Sequence, residues 1–147
     1  MDRYNERILQ ELTSNGKITN AELAQKIGLS ASACLRRVQE LENKGIIKGY
    51  RAVLNHEALG RGFVAYVTIG LSTHTSEAQK RFEDAIFLSH EVIECHNVTG
   101  SFEYLLRVET TDLKSYKVFH SETLGMLPHI ATITTHMVME STKDERA

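Results

Sequence analysis

The first third of the chain contains three runs of apolar residues at helical spacing. Each run follows a side chain that can cap a helix, namely Asp2, Thr19 and Ser30. Gly28 lies between the second and third runs, where glycine accepts a left-handed turn. The inward positions are Tyr4, Ile8, Leu9 and Leu12, then Leu23, Ala24 and Ile27, then Cys34, Val38 and Leu41. The pattern predicts three short helices, of which the second and third form a helix-turn-helix.

Beyond residue 61 the apolar pattern alternates between strand and helix periods. Runs rich in Val, Ile, Phe and Tyr predict strands over 63–71, 92–98, 102–109 and 130–140. Helical spacing predicts a helix over 77–89 and another after Asp112, the latter with Leu113, Tyr116, His120 and Leu124 on its inner face. The turn Thr99-Gly100-Ser101 predicts a hairpin. The order βαββαβ is that of the ferredoxin-like unit, a four-stranded antiparallel sheet with both helices on one face.

These elements predict an α+β chain with two domains. A winged-type helix-turn-helix with little wing covers residues 1–48, and a linker strand covers 49–61. The βαββαβ domain covers 62–141, and a C-terminal tail covers 142–147. Each domain is near the lower size limit for an independent core, which favours oligomerisation.

Charge separates the same two regions. Residues 1–55 contain nine basic and six acidic side chains, whereas the remainder contains eight basic and thirteen acidic ones. The two parts therefore carry net charges of about +3 and −5. The mild basic excess near the N-terminus favours nucleic acid as a partner of that region.

The third predicted helix presents polar side chains that suit the DNA major groove. The candidates for contacts with phosphates or base edges are Ser30, Ser32, Arg36, Arg37, Gln39 and Lys48. The alternative is that the charges on this helix only keep its surface solvated. Caps, turn and arginines together favour binding to double-stranded operator DNA, with two half-sites about one helical turn apart.

The first strand of the C-terminal domain predicts association between chains. Val64 and Tyr66 lie on the face opposite to Phe63, Ala65, Val67, Ile69 and Leu71. Apolar residues on both faces of a sheet that has helices on one side only predict burial against a second copy. We therefore expect an obligate homodimer.

Metal and catalytic chemistry find little support in the sequence. Cys34 and Cys95 fall in different predicted domains, and the seven histidines form no i, i+4 pair on one predicted helix. We expect no metal, no cofactor apart from an effector, and no enzymatic activity. The alternatives are a small ferredoxin-like enzyme, or a metabolite-binding or scaffold module without a DNA role. No secretory segment or long apolar run is evident, which predicts a cytoplasmic protein without a membrane partner.

Four groups of residues occur in an order and at distances typical of one family. They are Asp2 with Ile8-Leu9-x-x-Leu12, then Leu23-Ala24-x-x-Ile27-Gly28-Leu29-Ser30, then Arg37-Val38-x-x-Leu41-Glu42-x-x-Gly45-Ile46-Ile47 with Tyr50, and Gly100-x-Phe102-x-Tyr104. Along nearly its whole length the chain thus resembles the Lrp/AsnC (feast/famine) family of prokaryotic transcriptional regulators.

The resemblance implies a DNA-binding head, an extended linker strand and a ligand-sensing dimerisation domain. Family members form dimers that assemble further, often as rings of four dimers, and bind an amino acid or related metabolite between dimers. By this analogy Gly100, Ser101, Glu103 and Tyr104 border the effector pocket, the alternative being a hairpin turn at a subunit contact. The family pattern has aspartate at positions 101 and 103. This chain has Ser101, which removes one of the two carboxylates, and Glu103, which carries the other on a longer side chain.

Overall fold

The computed structural model describes residues 1–145, which divide into two compact units. The first unit is Met1–Val53, and the second begins at Leu54. The boundary between them falls inside the segment predicted as a linker. The last two residues of the predicted tail, 146–147, lie outside the described residues.

The N-terminal unit, called the head below, consists of three helices with the predicted caps. Helix α1 spans Arg3–Ser14, α2 spans Asn20–Ile27 and α3 spans Ala31–Asn43. The side chains of Asp2, Thr19 and Ser30 each accept a hydrogen bond from a backbone N–H in the first turn of the helix that follows. Gly28 ends α2 in the left-handed conformation at φ 84°, so the helix-turn-helix forms as the sequence predicts.

Apolar residues from all three helices form the core of the head. The buried members are Ile8, Leu23, Ala24, Ile27, Cys34 and Leu41. Val38 and Leu12 pack against this cluster while remaining partly exposed. The inward stripes predicted from helical spacing therefore hold for α2 and α3, and for α1 except at Tyr4, which is exposed.

The linker differs from its prediction as a strand over 49–61. Residues 48–55 carry no regular secondary structure, and residues 56–60 form a turn. In that turn the N–H of Leu59 donates to the Asn55 carbonyl, and the N–H of Arg61 donates to the His56 carbonyl. These local bonds satisfy the backbone without a neighbouring strand.

The C-terminal unit is a four-stranded antiparallel sheet with helices packed against it. Its strands are β1 (Phe63–Leu71), β2 (Val92–Asn97), β3 (Tyr104–Thr110) and β4 (Ile130–Met137), in the spatial order β2-β3-β1-β4. Helix α4 (Ser76–Phe87) connects β1 to β2, and α5 (Leu113–Glu122) followed by a 3-10 turn (Leu124–Met126) connects β3 to β4. This topology confirms the predicted ferredoxin-like α+β class.

The core of this unit lies between the sheet and the helices. Alternate residues of the two central strands point into it, among them Ala65, Val67 and Ile69 from β1. The opposing helices contribute Phe82, Ile86, Tyr116 and Phe119. The prediction for α5 was wrong at Leu113, which is more than half exposed, whereas Phe119 is buried in its place. Leu113 is the first residue of the helix, before the buried stripe begins.

The second face of the sheet, called the open face below, is less apolar than predicted. Val64, Tyr66 and Leu105 share it with a charged pair from β3, Arg107 and Glu109. The Arg107 Nε donates to the Glu109 carboxylate at 3.0 Å, and the side chains are only 13% and 9% exposed. The expectation of an apolar face rested on the residues of β1 alone, and the charged side chains of this face belong to the neighbouring strand β3.

Two segments of the same chain partly cover these charges. Before β1, His56 Nδ1 lies 3.7 Å from a Glu109 carboxylate oxygen. After β4, Asp144 Oδ2 lies 3.3 Å from Arg107 Nη2. The open face is thus a partly covered surface with a buried ion pair.

Candidate DNA-binding and effector sites

Helix α3 presents one exposed polar face. Ser32, Arg36 and Gln39 recur at i, i+4 and i+7 and are all exposed. Arg36 is 67% exposed, and its guanidinium lies 3.6 Å from the carboxylate of Glu40 one turn later. Such a weakly held, exposed pair leaves the guanidinium free to bind a phosphate or a base edge.

Arg37 has a different environment from Arg36. One residue along a helix is a rotation of about 100°, which turns Arg37 away from the exposed face and toward α1. Its Nη1 donates to Asp2 Oδ2 at 2.6 Å and to Asn5 Oδ1 at 3.2 Å. The guanidinium also lies 5.1 Å from the centroid of the Tyr4 ring. The two arginines, grouped together by the sequence prediction, therefore have separate structural surroundings.

The remaining predicted DNA contacts lie at the two ends of α3. Ser30 caps the helix with its side chain, and its Oγ lies 3.4 Å from the Ser32 Oγ. Lys48 follows the helix in an exposed segment. Ser30, Ser32 and Lys48 are accessible in the head, and their contact with DNA stays a prediction.

Polar contacts between helices, which the sequence analysis did not find, hold α2 and α3 in place. Arg7 of α1 donates to the carbonyls of Lys26 and Ile27 at the end of α2, at 2.7 and 3.4 Å. Asn20 of α2 donates from its side chain to the Ala31 carbonyl at 2.9 Å. Cations are favourable at a helix C-terminus because the last carbonyls carry partial negative charge. These contacts fix the turn that presents α3.

The predicted effector turn lies between β2 and β3. Gly100 has φ 123°, a conformation that disfavours any residue with a Cβ, and no other atoms lie within 4 Å of where a Cβ would stand. Gly100 and Ser101 are both exposed. The backbone there is therefore open to a small molecule, which is the property that the sequence prediction requires.

Glu103 is already occupied by contacts within the unit. One carboxylate oxygen accepts the backbone N–H of Leu71 at 2.8 Å, at the point where the pairing between β1 and β4 shifts register. The other oxygen lies 2.8 Å from His74 Nδ1. Gly70 is beside this arrangement, since a Cβ on it would lie 3.7 Å from Glu103 Oε2. Glu103 thus stabilises an irregularity of the sheet.

Tyr104 points away from the surface at which Gly100 and Ser101 lie. Its side chain is 1% exposed and packs on Phe82 of α4, with ring centroids 4.6 Å apart. Burial, together with the nearby carboxylate of Glu83, raises the pKa of the phenol well above its usual range. The structure places this predicted effector residue in the core, so its side chain stabilises the unit from within.

Among residues 1–145, no helix combines the length and the apolar character needed to cross a bilayer. Within the same residues no group of three or more His, Cys, Asp or Glu side chains is placed to hold a metal ion.

A capped helix-turn-helix joined to a ferredoxin-like unit defines a class of transcriptional regulators that carry a ligand-binding domain. Residues 1–48 match the winged helix-turn-helix DNA-binding domain, and residues 64–147 match the Lrp/AsnC ligand binding domain. The chain belongs to the Lrp/AsnC family, and it is a DNA-binding transcriptional regulator of that family.

Relatives of known name and structure span almost the whole chain. The leucine-responsive regulatory protein of Escherichia coli K12 is 38% identical over 143 residues, which are 97% of this chain and 87% of that protein. A transcriptional regulator from Neisseria meningitidis, solved as its L-Met complex, is 31% identical with a TM-score of 0.94, covering 98% of this chain and 93% of that one. An AsnC family regulator from Agrobacterium tumefaciens is 31% identical with a TM-score of 0.92, covering 98% and 94%.

Proposed function

We propose that the head reads operator DNA through the exposed face of α3, with Ser32, Arg36 and Gln39 as the principal contacts. The observation that supports this most is the exposure of this face on a helix that is capped by Ser30 and follows the left-handed turn at Gly28. A rigid helix with donors along one side fits the major groove. Ser30 and Lys48 lie at its two ends, where the phosphates of the groove edges pass.

Titration of double-stranded DNA from upstream of the gene, at several salt concentrations, tests this proposal. Each phosphate contact adds about 0.9 to the magnitude of the log–log salt slope. Arg36→Ala should weaken binding and lower the slope by about that amount, if the contact is to a phosphate. Lys117→Ala, an exposed cation on α5, is the matched control and should change neither quantity. Equal binding of wild type and Arg36→Ala would contradict the proposed face.

We propose further that the second unit binds an amino acid or a related metabolite at the Gly100-Ser101 turn. The exposed turn, with its left-handed glycine, allows a ligand carboxylate to reach backbone N–H groups. The regulator from N. meningitidis was solved with L-Met, and the E. coli relative is named for its response to leucine. Ligand binding alters DNA binding only through different affinities for the two states of the assembly.

Thermal unfolding with L-methionine and L-leucine tests the effector proposal. A ligand at 100 times its dissociation constant should stabilise the folded state by about 2.7 kcal/mol. Gly100→Val should abolish this shift because valine is strained at φ 123° and fills the open turn. Gly49→Ala, in the head, should leave it intact. If neither amino acid, nor any other of the twenty, moves the melting curve, the effector belongs to another chemical class.

We propose a homodimer that buries the open face of the sheet, with further assembly up to an octamer. Val64, Tyr66 and Leu105 supply apolar area on that face, and the small size of each unit favours association. We also propose that the protein acts in the cytoplasm and catalyses no reaction, since the relatives are transcriptional regulators.

The structure selects the variant that tests the dimer. Tyr66→Asp would gain Arg107 as a partner, because positions 66 and 107 stand opposite each other on β1 and β3. Val64→Asp tests the dimer more directly, because position 64 stands in register with Glu109 of β3, so that the new carboxylate would face a like charge and gain no partner there. Sedimentation should show Val64→Asp as a monomer, and Val118→Asp, on an exposed part of α5, should behave as wild type. A wild type that is monomeric at micromolar concentration would contradict the proposal.

A further inference from the structure

Arg37 joins α3, the helix proposed to contact DNA, to the start of α1. Its guanidinium contacts the cap and the first turn of α1: it pairs with the Asp2 carboxylate, donates a hydrogen bond to Asn5 and lies over the face of the Tyr4 ring. The side chain is 22% exposed, compared with 67% for its neighbour Arg36. A planar guanidinium with several fixed donors orients its partners in a way that a lysine does not.

Asp2 completes the connection because its two carboxylate oxygens have different partners. One oxygen accepts the Asn5 N–H at 2.9 Å and thereby caps α1, while the other accepts from Arg37 at 2.6 Å. The hydrogen bond from Arg37 holds the pKa of Asp2 below its usual value, because the contact favours the charged carboxylate. One side chain thus begins the first helix and holds the third.

We propose that Arg37 is a positioning residue, which sets the orientation of α3 on α1 through Asp2 and does not contact the operator. The inference rests on the proposed DNA-binding function of the head. It assigns the two adjacent arginines different tasks: Arg36 binds DNA, and Arg37 fixes the angle at which Arg36 is presented.

Operator affinity across a range of salt concentrations distinguishes the two tasks. Arg37→Gln should weaken binding about tenfold, a coupling usual for one hydrogen-bond network. Arg36→Ala should lower the salt slope by about 0.9, and the double variant Arg36→Ala with Arg37→Gln should lower it no further. A slope lower in this double variant than in Arg36→Ala would overturn the inference, because it would show that Arg37 itself contacts a phosphate.

The direction in which Asp2→Asn changes operator affinity gives a second test. Asp2→Asn keeps a good helix cap but removes the charge that holds Arg37. A positioning role predicts weaker operator binding, although the variant is more positive. A role of Arg37 in direct DNA contact predicts stronger binding, since Arg37 is released and a negative charge is removed. Stronger or unchanged binding by Asp2→Asn would therefore overturn the inference.

The double variant Asp2→Asn with Arg37→Gln tests whether the two residues act through each other. If the two residues act as one unit, the double variant should lose no more affinity than either single variant, and additive losses would count against the pair. Far-UV circular dichroism of each variant checks that the head remains folded. If wild type binds the operator and Arg36→Ala flattens the slope, the DNA-binding function stands whatever happens at Arg37. If neither holds, both proposals fall together.

Discussion

In the head, polar side chains join one helix to the next, whereas in the second unit strand pairing and apolar packing hold the elements. Arg37 with Asp2, and Arg7 with the carbonyls at the end of α2, are the connections in the head. Among the described residues the head buries six core side chains, and the second unit buries twelve. A core of six gives little area to fix helix angles, so directional hydrogen bonds take on that task.

The difference has a functional side as well. A helix such as α3, held to α1 by the ion pair of Arg37 with Asp2, responds to single charge changes, while a sheet core responds mainly to lost volume. In the second unit the ion pair of Arg107 with Glu109, whose side chains are both largely buried, lies on the face away from that core. Each unit should therefore fail under a different kind of substitution.

The largest expected effect is a cavity in the second unit. Leu106→Ala removes a fully buried side chain from a central strand and should lower the free energy of unfolding by about 2–5 kcal/mol. Val118→Ala, at an exposed position of α5, should cost less than about 1.5 kcal/mol. Urea denaturation followed by circular dichroism measures both. Equal losses at the two positions would contradict the placement of Leu106 in the core.

A smaller effect is expected from overpacking at Gly70. The Cβ of alanine there would lie 2.3 Å from Thr132 Oγ1, so Gly70→Ala should destabilise the second unit by about 1–3 kcal/mol. Thr132→Ala removes the clashing oxygen and should restore most of that loss in the double variant. Gly62→Ala, which meets no atom within 4 Å, is the control. The idea fails if Gly70→Ala is as stable as Gly62→Ala.

The smallest effect is electrostatic and separates two helix caps. The pKa of Asp2 is lowered chiefly by the hydrogen bond that Arg37 donates to it. The pKa of Asp112 is lowered chiefly by the hydrogen bond from the Ser115 N–H. A lowered carboxyl pKa gives stability that is present above pH 3.8 and is lost as pH falls through the folded-state value. Carboxyl NMR titration should show that Arg37→Gln raises the pKa of Asp2 and leaves Asp112 unchanged. A shift at both carboxyls would refute the assignment.

The helix caps and the order of elements could be predicted from sequence because their causes are local. Thr19, Ser30 and Asp112 each cap a helix through bonds to residues three positions on, and Gly28 needs only its own backbone freedom. The set of α3 residues that faces the core follows from the helical spacing of apolar positions alone. Predictions of this kind succeed where the governing contact spans one helical turn.

Contacts between distant parts of the chain could not be predicted from the sequence. Arg37 meets Asp2 across 35 positions, and Glu103 meets the Leu71 N–H across 32. Adjacent arginines look alike in a sequence, and only the packing of α1 against α3 separates them. The resemblance to the family grouped Tyr104 with the exposed turn, whereas its alternation with Leu106 along β3 agrees with its burial in the core.

The bond between Glu103 and the Leu71 N–H also makes a natural spectroscopic reporter. This amide donates to a side chain, so its hydrogen-exchange rate depends on the position of one carboxylate. Movement of Glu103 toward a bound molecule would expose the amide to water and speed its exchange, while neighbouring amides of β1 that pair with β3 and β4 would keep their rates. A single backbone resonance can therefore follow the state of the turn region without a label, with DNA bound or absent.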